Sequence, residues 1–216
     1  MQHLFEQHNV VRALKNSFAT TLLQTFAALA VSSIAGYGFE IYHDKAKDTV
    51  MAILMLAMMV PFVAVLVPLF QMFTKAKLIN SWTGFILPSI ATPFLIMYFR
   101  NSARSFPRDT LEAARIDGLN EFQIFIRMFI PMMKPTYASA ATITFMGAWN
   151  AYLWPKVVMQ TNEAITMPML VANTMGGYVI DYGVVMAAVT ICSLPTVIIF
   201  FCLQKSFTNA VAGAVK

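Results

Sequence analysis

The stretch PRDTLEAARIDGLNEFQIFIRMFIP, residues 107–131, lies between two long uncharged stretches and is called the connector below. Its first half has the signals of a short helix. Asp109 is placed to cap the helix start, with Glu112 three residues later in a capping-box arrangement. Gly118 is a favoured residue for the left-handed conformation that ends a helix. The sequence therefore predicts a helix between Asp109 and Gly118.

The second half of the connector repeats this pattern. Asn120 and Gln123 have the spacing of a second capping box. Apolar residues then recur at helical spacing, which predicts a helix with one apolar face formed by Phe122, Phe125, Ile126 and Phe129. Pro131 and Pro135 are expected to end this helix and redirect the chain.

Two short helices around a glycine are typical of a docking surface. Ala113 and Ala114 are small enough for a partner to come close, and Leu111 and Ile116 are predicted to enter a groove of that partner. The residues alone leave a second interpretation open, in which the helix rests on the membrane surface.

Composition places the chain in a membrane. Hydrophobic residues make up 58% and charged residues 12% of the sequence, with a mean hydropathy of +0.65. Ordinary globular domains carry roughly twice that charge. Each of the uncharged stretches has the length of about 20 residues that a spanning helix needs. We therefore predict an all-α integral membrane protein with five transmembrane helices, at about residues 17–39, 49–74, 78–99, 135–155 and 183–204. Prolines inside these stretches are expected to kink the helices without breaking them.

The formal charge of +5 does not indicate a nucleic-acid partner, because the basic residues are spread over the connections between spans. Their distribution predicts the topology. If the connector is cytoplasmic, that side carries ten basic residues: Lys45, Lys47, Arg100, Arg104, Arg108, Arg115, Arg127, Lys134, Lys205 and Lys216. The other side carries five: Arg12, Lys15, Lys75, Lys77 and Lys156. This bias places the N-terminus outside and the C-terminus inside.

The predicted spans contain no Asp, Glu, Lys, Arg or His. Carriers driven by protons or ions usually keep an ionisable residue at membrane depth, although sodium can also be bound by backbone carbonyls. The pattern therefore favours a transporter that is driven by an energy source outside its membrane-spanning helices.

Several connector positions resemble, at matching spacing, the EAA loop of permease subunits from binding-protein-dependent ABC importers: Glu112-Ala113-Ala114, Asp117-Gly118, Phe125, Pro131 and Pro135. In that family the loop is the coupling helix, which sits in a cleft of the ATP-hydrolysing subunit. The resemblance implies an ATPase-coupling role for Glu112, Ala113, Ala114, Asp117 and Gly118. Leu119 departs from the usual alanine, but it lies beyond the glycine stop.

Further segments resemble the sugar branch of that family, the maltose-permease-like proteins: Asn16-Ser17, Gly36-Tyr37-Gly38-Phe39, Trp149–Pro155 and Ala212–Lys216. Members of that branch have six spans with both termini inside. The chain begins in what resembles the external segment before the second span, so we expect the family's first span to be missing from it.

The resemblance implies a permease subunit of an ATP-driven importer in the bacterial cytoplasmic membrane. Its expected partners are an ATP-binding subunit dimer, a second homologous permease, an external solute-binding protein, a sugar or oligosaccharide, and membrane lipid. No catalytic residue, metal site or cofactor is expected, since ATP hydrolysis belongs to the partner. The alternatives are a self-sufficient channel or secondary carrier, an ABC permease for a non-sugar solute, and a membrane scaffold that recruits a cytosolic protein.

Trp149, Asn150 and Tyr152 are the candidates for the substrate path. An aromatic face covers the apolar side of a sugar ring, and an amide can bind its hydroxyls. Aromatic residues at the end of a span also form interfacial belts, which is the interpretation that we favour for Trp154. For Asn150 both interpretations stand.

Overall fold

The structure is a computed structural model that describes residues 9–176 and 180–213, with side chains described as far as residue 202. All regular structure in these residues is helical, which confirms the predicted all-α class. Residues 214–216, the end of the Ala212–Lys216 segment, lie outside the described residues.

The helices follow one another along the chain with short connections. In order they are α1 (Val10–Ile41), α2 (Lys45–Ala57), α3 (Phe62–Lys75), α4 (Trp82–Ile86), α5 (Pro93–Ala103), α6 (Arg108–Ile116), α7 (Glu121–Ile124), α8 (Ile130–Met132), α9 (Lys134–Trp149), α10 (Leu153–Val158), α11 (Met167–Thr174) and α12 (Tyr182–Gly213). A 3-10 turn, Leu87–Ser89, follows α4, and another, Asn162–Ala164, precedes α11. A π-helical segment, Phe125–Phe129, joins α7 to α8.

Within the described residues, two helices are long and apolar enough to cross a membrane by themselves, Val10–Ile41 and Tyr182–Cys202. The first contains the predicted span 17–39, and the second covers all but the last two residues of the predicted span 183–204. The stretches predicted as spans 49–74 and 78–99 are interrupted, and counting each interrupted pair as one span gives up to four. The stretch 135–155 contains most of α9, which has 16 residues, and the start of α10.

The prolines explain these interruptions. Pro68 and Pro195 lie inside helices, as predicted. At three other prolines the prediction of a kink without a break is wrong: Pro61 directly precedes α3, Pro88 lies in a 3-10 turn, and Pro93 begins α5. A proline has no N–H to continue the helical ladder, and it disfavours helical geometry in the residue before it.

The chain divides into two compact units. The described residues of the second unit are 26–61, 89–141 and 203–213, which include the connector. Its main apolar cluster joins the end of α1 to the connector through Tyr37, Ala103, Phe106, Leu111, Ala114, Ile124, Phe125, Phe129 and Met133. A smaller cluster of Ala28, Leu95, Phe99 and Ala140 packs α1 against α5 and α9.

The described residues of the first unit are 9–25, 62–88, 142–176 and 180–202. One of its clusters is formed by Val10, Ala13, Phe145, Trp149, Met167, Leu170 and Ala188. The other is formed by Phe73, Phe85, Trp154, Val158, Met159 and Met169.

Large apolar side chains are exposed in both units, for example Phe26, Met59 and Phe201, which suits surfaces that face lipid or another subunit.

Candidate functional site

The first half of the connector forms the predicted helix, but the helix begins earlier than the sequence indicated. Its N-cap is Pro107, whose side chain makes no capping hydrogen bond. Asp109 lies in the first turn, so the predicted capping box of Asp109 and Glu112 is wrong. Proline can occupy this position because its fixed φ suits a helix start, and an acidic residue in the first turn remains favourable to the helix dipole.

The end of α6 confirms the prediction for Gly118. Asp117 is the C-cap, and Gly118 has a φ of +79°. The N–H of Gly118 donates to Arg115 O at 3.1 Å, and the N–H of Leu119 donates to Ala114 O at 3.0 Å. These two bonds form a Schellman motif, which requires a left-handed residue after the cap.

The second half begins with the predicted capping box. The N–H of Gln123 donates to Asn120 Oδ1 at 2.9 Å, and the N–H of Asn120 donates to Gln123 Oε1 at 3.0 Å. The predicted apolar face is only half right, because Phe125 and Phe129 are buried whereas Phe122 and Ile126 are exposed. The π-helical segment explains the difference, since its i to i+5 geometry brings Ile124 and Phe129 onto the buried face.

The two faces of α6 differ sharply. Leu111 and Ala114 pack into the second unit's own core. They are therefore not available to a partner in this structure, although the sequence suggested that Leu111 would enter a partner's groove. Glu112, Ala113, Asp117 and Gly118 are exposed. The largest exposed apolar side chains of the connector are Ile116, with 86% of its surface exposed, and Phe122, with 71%.

An ionic contact joins the two helices of the connector. Arg115 Nε donates to Glu121 Oε1 at 2.8 Å, and the Tyr37 hydroxyl donates to Glu121 Oε2 at 3.3 Å. Burial opposes ionisation of Glu121, but the hydrogen bonds from Arg115, Tyr42 and Tyr37, together with the positive charge of Arg115, outweigh it, and the pKa of this carboxyl is lowered. Burial, followed by the hydrogen bond to Glu121, raises the pKa of Tyr42.

The second candidate site is a cavity of about 320 Å³ in the first unit. None of its lining side chains is charged at neutral pH: Asn150, Tyr152, Pro168, Val171, Ala172, Met175, Val189, Cys192 and Ser193. The Asn150 Nδ2 donates to Met146 O at 2.8 Å, which fixes the amide and leaves its oxygen as an acceptor. Such a lining, mostly apolar with a few polar groups, is typical of a small-molecule pocket.

Sequence reasoning missed most of this lining. Val189, Cys192 and Ser193 have the i, i+3, i+4 spacing of one helix face, and Pro168, Val171, Ala172 and Met175 repeat it on α11. The spacing alone could have indicated two faces. It does not reveal that they meet beside Asn150, because that contact depends on tertiary packing.

Trp149 and Trp154 both belong to the core of the first unit. Trp149, predicted on the substrate path, is 1% exposed, and its Nε1 donates to Cys192 O at 2.9 Å. It supports the cavity from behind and does not line it. Trp154 is 7% exposed, and its Nε1 donates to Gly84 O at 3.1 Å, so the interfacial-belt interpretation of Trp154 is wrong. A buried indole N–H needs an acceptor, which explains both bonds.

Comparisons with known proteins agree with the fold. Residues 28–213 match the family model described as "Binding-protein-dependent transport system inner membrane component". The chain is 41% identical over 98% of its length to the lactose transport system permease protein LacG of Rhizobium radiobacter, of which it covers 78%. It is 35% identical over 93% of its length to the arabinooligosaccharides transport system permease protein AraQ of Bacillus subtilis (strain 168), of which it covers 72%.

Another similar sequence is the sn-glycerol-3-phosphate transport system permease protein UgpE of Pectobacterium atrosepticum, which is 27% identical over 94% of this chain and is covered over 73% of its own length. Among solved structures, the fold resembles a chain of a bacterial ABC transporter involved in the import of the acidic polysaccharide alginate. That match has a TM-score of 0.85 at 21% identity and covers 94% of this chain and 77% of the other.

Proposed function

The chain belongs to the family of binding-protein-dependent transport system inner membrane components, and from this premise we propose that it is the permease subunit of an ABC importer for a neutral sugar or oligosaccharide. The observation that carries the proposal is the geometry of the connector. Its first helix packs its inner face on the core and exposes the other, and Gly118 fixes its end. A rigid helix that exposes a charged surface with one large apolar side chain, Ile116, is suited to a groove in a partner.

The proposed partner at this surface is the ATP-hydrolysing subunit of the importer. Ala113 gives it a close approach, while Ile116 and Phe122 supply apolar contacts. Glu112, Asp117 and Gly118 complete the exposed surface, whereas Ala114 supports it from the core. In this proposal ATP hydrolysis belongs to the partner and the chain itself is not an enzyme. A second homologous permease and an external solute-binding protein complete the transporter.

The cavity supports a neutral substrate. Asn150 offers an amide oxygen to sugar hydroxyls, and Tyr152 offers an aromatic face. A phosphate would need a cation or several N–H donors, and none of the lining side chains is cationic. The cavity therefore suits an uncharged solute, such as the sugars in the names of LacG and AraQ, better than a phosphate ester such as the one in the name of UgpE.

The proposed orientation in the cytoplasmic membrane puts the connector inside the cell. Single cysteines at Asp109 and Thr161, in a chain lacking Cys192 and Cys202, should react with a membrane-impermeant thiol reagent from opposite sides. Thr161 should react in intact cells and Asp109 only after lysis. The reverse pattern would contradict both the orientation and the docking site.

Reconstitution tests the function. The chain, a second permease, the ATPase and the binding protein would be placed in proteoliposomes, and uptake of a labelled neutral oligosaccharide would be measured. We expect uptake only with ATP and the binding protein. Uptake by the chain without the ATPase would instead identify a channel or secondary carrier, and ATPase docking without uptake would identify a scaffold.

A further inference from the structure

Arg100 is a buried cation at the meeting point of three helices of the second unit. It lies in the last turn of α5 and is 6% exposed. Its Nη2 donates to Asp48 Oδ1 at 2.6 Å, and its Nε donates to Glu40 Oε2 at 3.3 Å. Glu40 belongs to the end of α1 and Asp48 to the first turn of α2. One guanidinium therefore joins the ends of α1, α2 and α5.

A close helix crossing places Glu40 within reach of Arg100. A Cβ at Gly36 would lie 2.6 Å from Phe99 Cβ and 2.7 Å from the backbone nitrogen of Arg100, so only glycine fits there without a backbone shift. Gly36 and Glu40 are one turn apart on the same face of α1. The crossing therefore fixes the distance across which Glu40 and Arg100 pair.

The same helices support the connector. Tyr37 on α1 and Ala103 on α5 pack against Leu111 and Ala114, the inner face of α6. Arg104, one turn after Arg100, also reaches Glu40 Oε2, at 3.5 Å. The ends of α1 and α5 that support α6, called its base below, are therefore the same helix ends that Arg100 joins.

A buried ion pair is a costly way to hold helices together. Well-packed apolar residues of similar size often stabilise a protein as much or more, whereas removal of one charge leaves the other uncompensated. The geometric specificity of a guanidinium with two carboxylates is what apolar packing does not provide. This difference indicates that the position of the three helix ends matters to function.

We propose that Arg100 is a positioning residue for energy coupling. Through Glu40 and Asp48 it holds α1 and α2 on the base of α6, so that movement of the docked helix reaches the membrane helices. This inference rests on the proposed function. It predicts that loss of Arg100 separates ATP hydrolysis from transport while the ATPase remains docked.

The test compares Arg100→Gln with the wild type in the reconstituted importer. Three quantities are measured: the ATPase subunit retained on purification, the rate of ATP hydrolysis, and the sugar transported per ATP. We expect retention and hydrolysis close to wild type, with transport per ATP lowered about tenfold. A purely structural role would lower the yield of complex and leave transport per ATP unchanged in the complex that remains, which would overturn the proposal.

A milder variant covers the case in which Arg100→Gln does not assemble. Asp48 is about half exposed, so Asp48→Asn should fold while losing one of the two ion pairs. We expect a smaller fall in transport per ATP, of about threefold. A wild-type ratio in an assembled Asp48→Asn complex would overturn the proposal.

Two controls isolate the Arg100 pairs. Asp44→Asn removes a local ion pair with Lys47 and keeps a residue that can cap α2. His43→Gln removes the other contact of Asp48, made at 2.9 Å, without touching Arg100. Both should keep the wild-type ratio, and a fall in either as large as in Asp48→Asn would contradict the assignment to Arg100. ATP-independent uptake by the wild type would instead count against the proposed function.

Discussion

The connector and the cavity are both candidate functional sites, but different interactions hold their side chains in place. The ends of the connector helices are fixed by contacts between residues near in sequence: the Schellman motif at Gly118, the capping box of Asn120 and the Arg115–Glu121 pair. The cavity is fixed by contacts between distant residues, such as the bond from Trp149 Nε1 to Cys192 O. The connector surface is charged and exposed, whereas the cavity lining is uncharged.

This difference separates docking from transport. Substitutions on the connector should change the association with the ATPase, and substitutions at the cavity should change uptake while the ATPase stays bound. A defect caused by a substitution at the ends of the connector helices would reflect local backbone strain. A defect caused by a substitution around the cavity would reflect lost packing.

The largest effect is expected at Gly118. Gly118→Val should abolish both ATPase retention and uptake, because a β-branched residue is a poor fit to a φ of +79° and the end of α6 would be rebuilt. The measurement is co-purification of the ATPase with the inserted chain.

Gly38→Val is the matched control for Gly118→Val. Gly38 lies in α1, and a Cβ there would have nothing within 4 Å, as at Gly118, but Gly38 does not have the positive φ. We expect ATPase retention close to wild type for this control. Retention of the ATPase by Gly118→Val would contradict the assignment of α6 as the docking helix.

The next effect is expected at the cavity. Asn150→Ala removes an amide that is poised to bind a hydroxyl, which should lower uptake about tenfold, the equivalent of one hydrogen bond of about 1.4 kcal/mol. ATPase retention should be unchanged. Asn162→Ala, at an exposed asparagine outside the cavity, is the control and should transport normally. Equal uptake by the two variants would exclude Asn150 from the substrate path.

These two regions also differ in how far the sequence predicted them. The glycine stop and the second capping box were predicted correctly because each depends on residues within a few positions. The exposed position of Phe122 was missed, since a π-helical segment changes the register of the buried face. Arg100 and Glu40 are 60 residues apart, and the cavity needs contacts across a similar separation. No local pattern encodes such pairs.

A smaller effect is expected at Trp154. Trp154→Phe keeps an aromatic ring but removes the donor to Gly84 O and part of the buried indole, which should lower the free energy of unfolding by about 1–3 kcal/mol because a buried carbonyl loses its partner and a small cavity is left. Thermal unfolding in detergent measures it. Trp82→Phe is the control, since Trp82 is largely exposed and should change stability by less than about 0.5 kcal/mol. Equal effects would restore the interfacial-belt interpretation of Trp154.

The smallest effect is expected at Glu121, and its sign depends on pH. The pKa of Glu121 in the folded protein is lowered below the ordinary value of 4.5, so the fold favours the charged carboxylate. The resulting stabilisation is complete above that ordinary value and is lost as the pH falls through the lowered pKa. Glu121→Gln keeps the acceptor for Arg115 and Tyr37 but removes the charge. It should therefore lower the melting temperature by about 1–2 °C at pH 7, as for an exposed ion pair in a chain of this size. The difference in melting temperature between the two proteins should shrink as the pH is lowered below 4.5.

Glu163→Gln is the control. Glu163 forms an exposed ion pair with Arg12 at 4.0 Å, and the substitution should not change the melting temperature. A difference between wild type and Glu121→Gln that is independent of pH would show that the shape of the side chain, and not its charge, holds the two connector helices together.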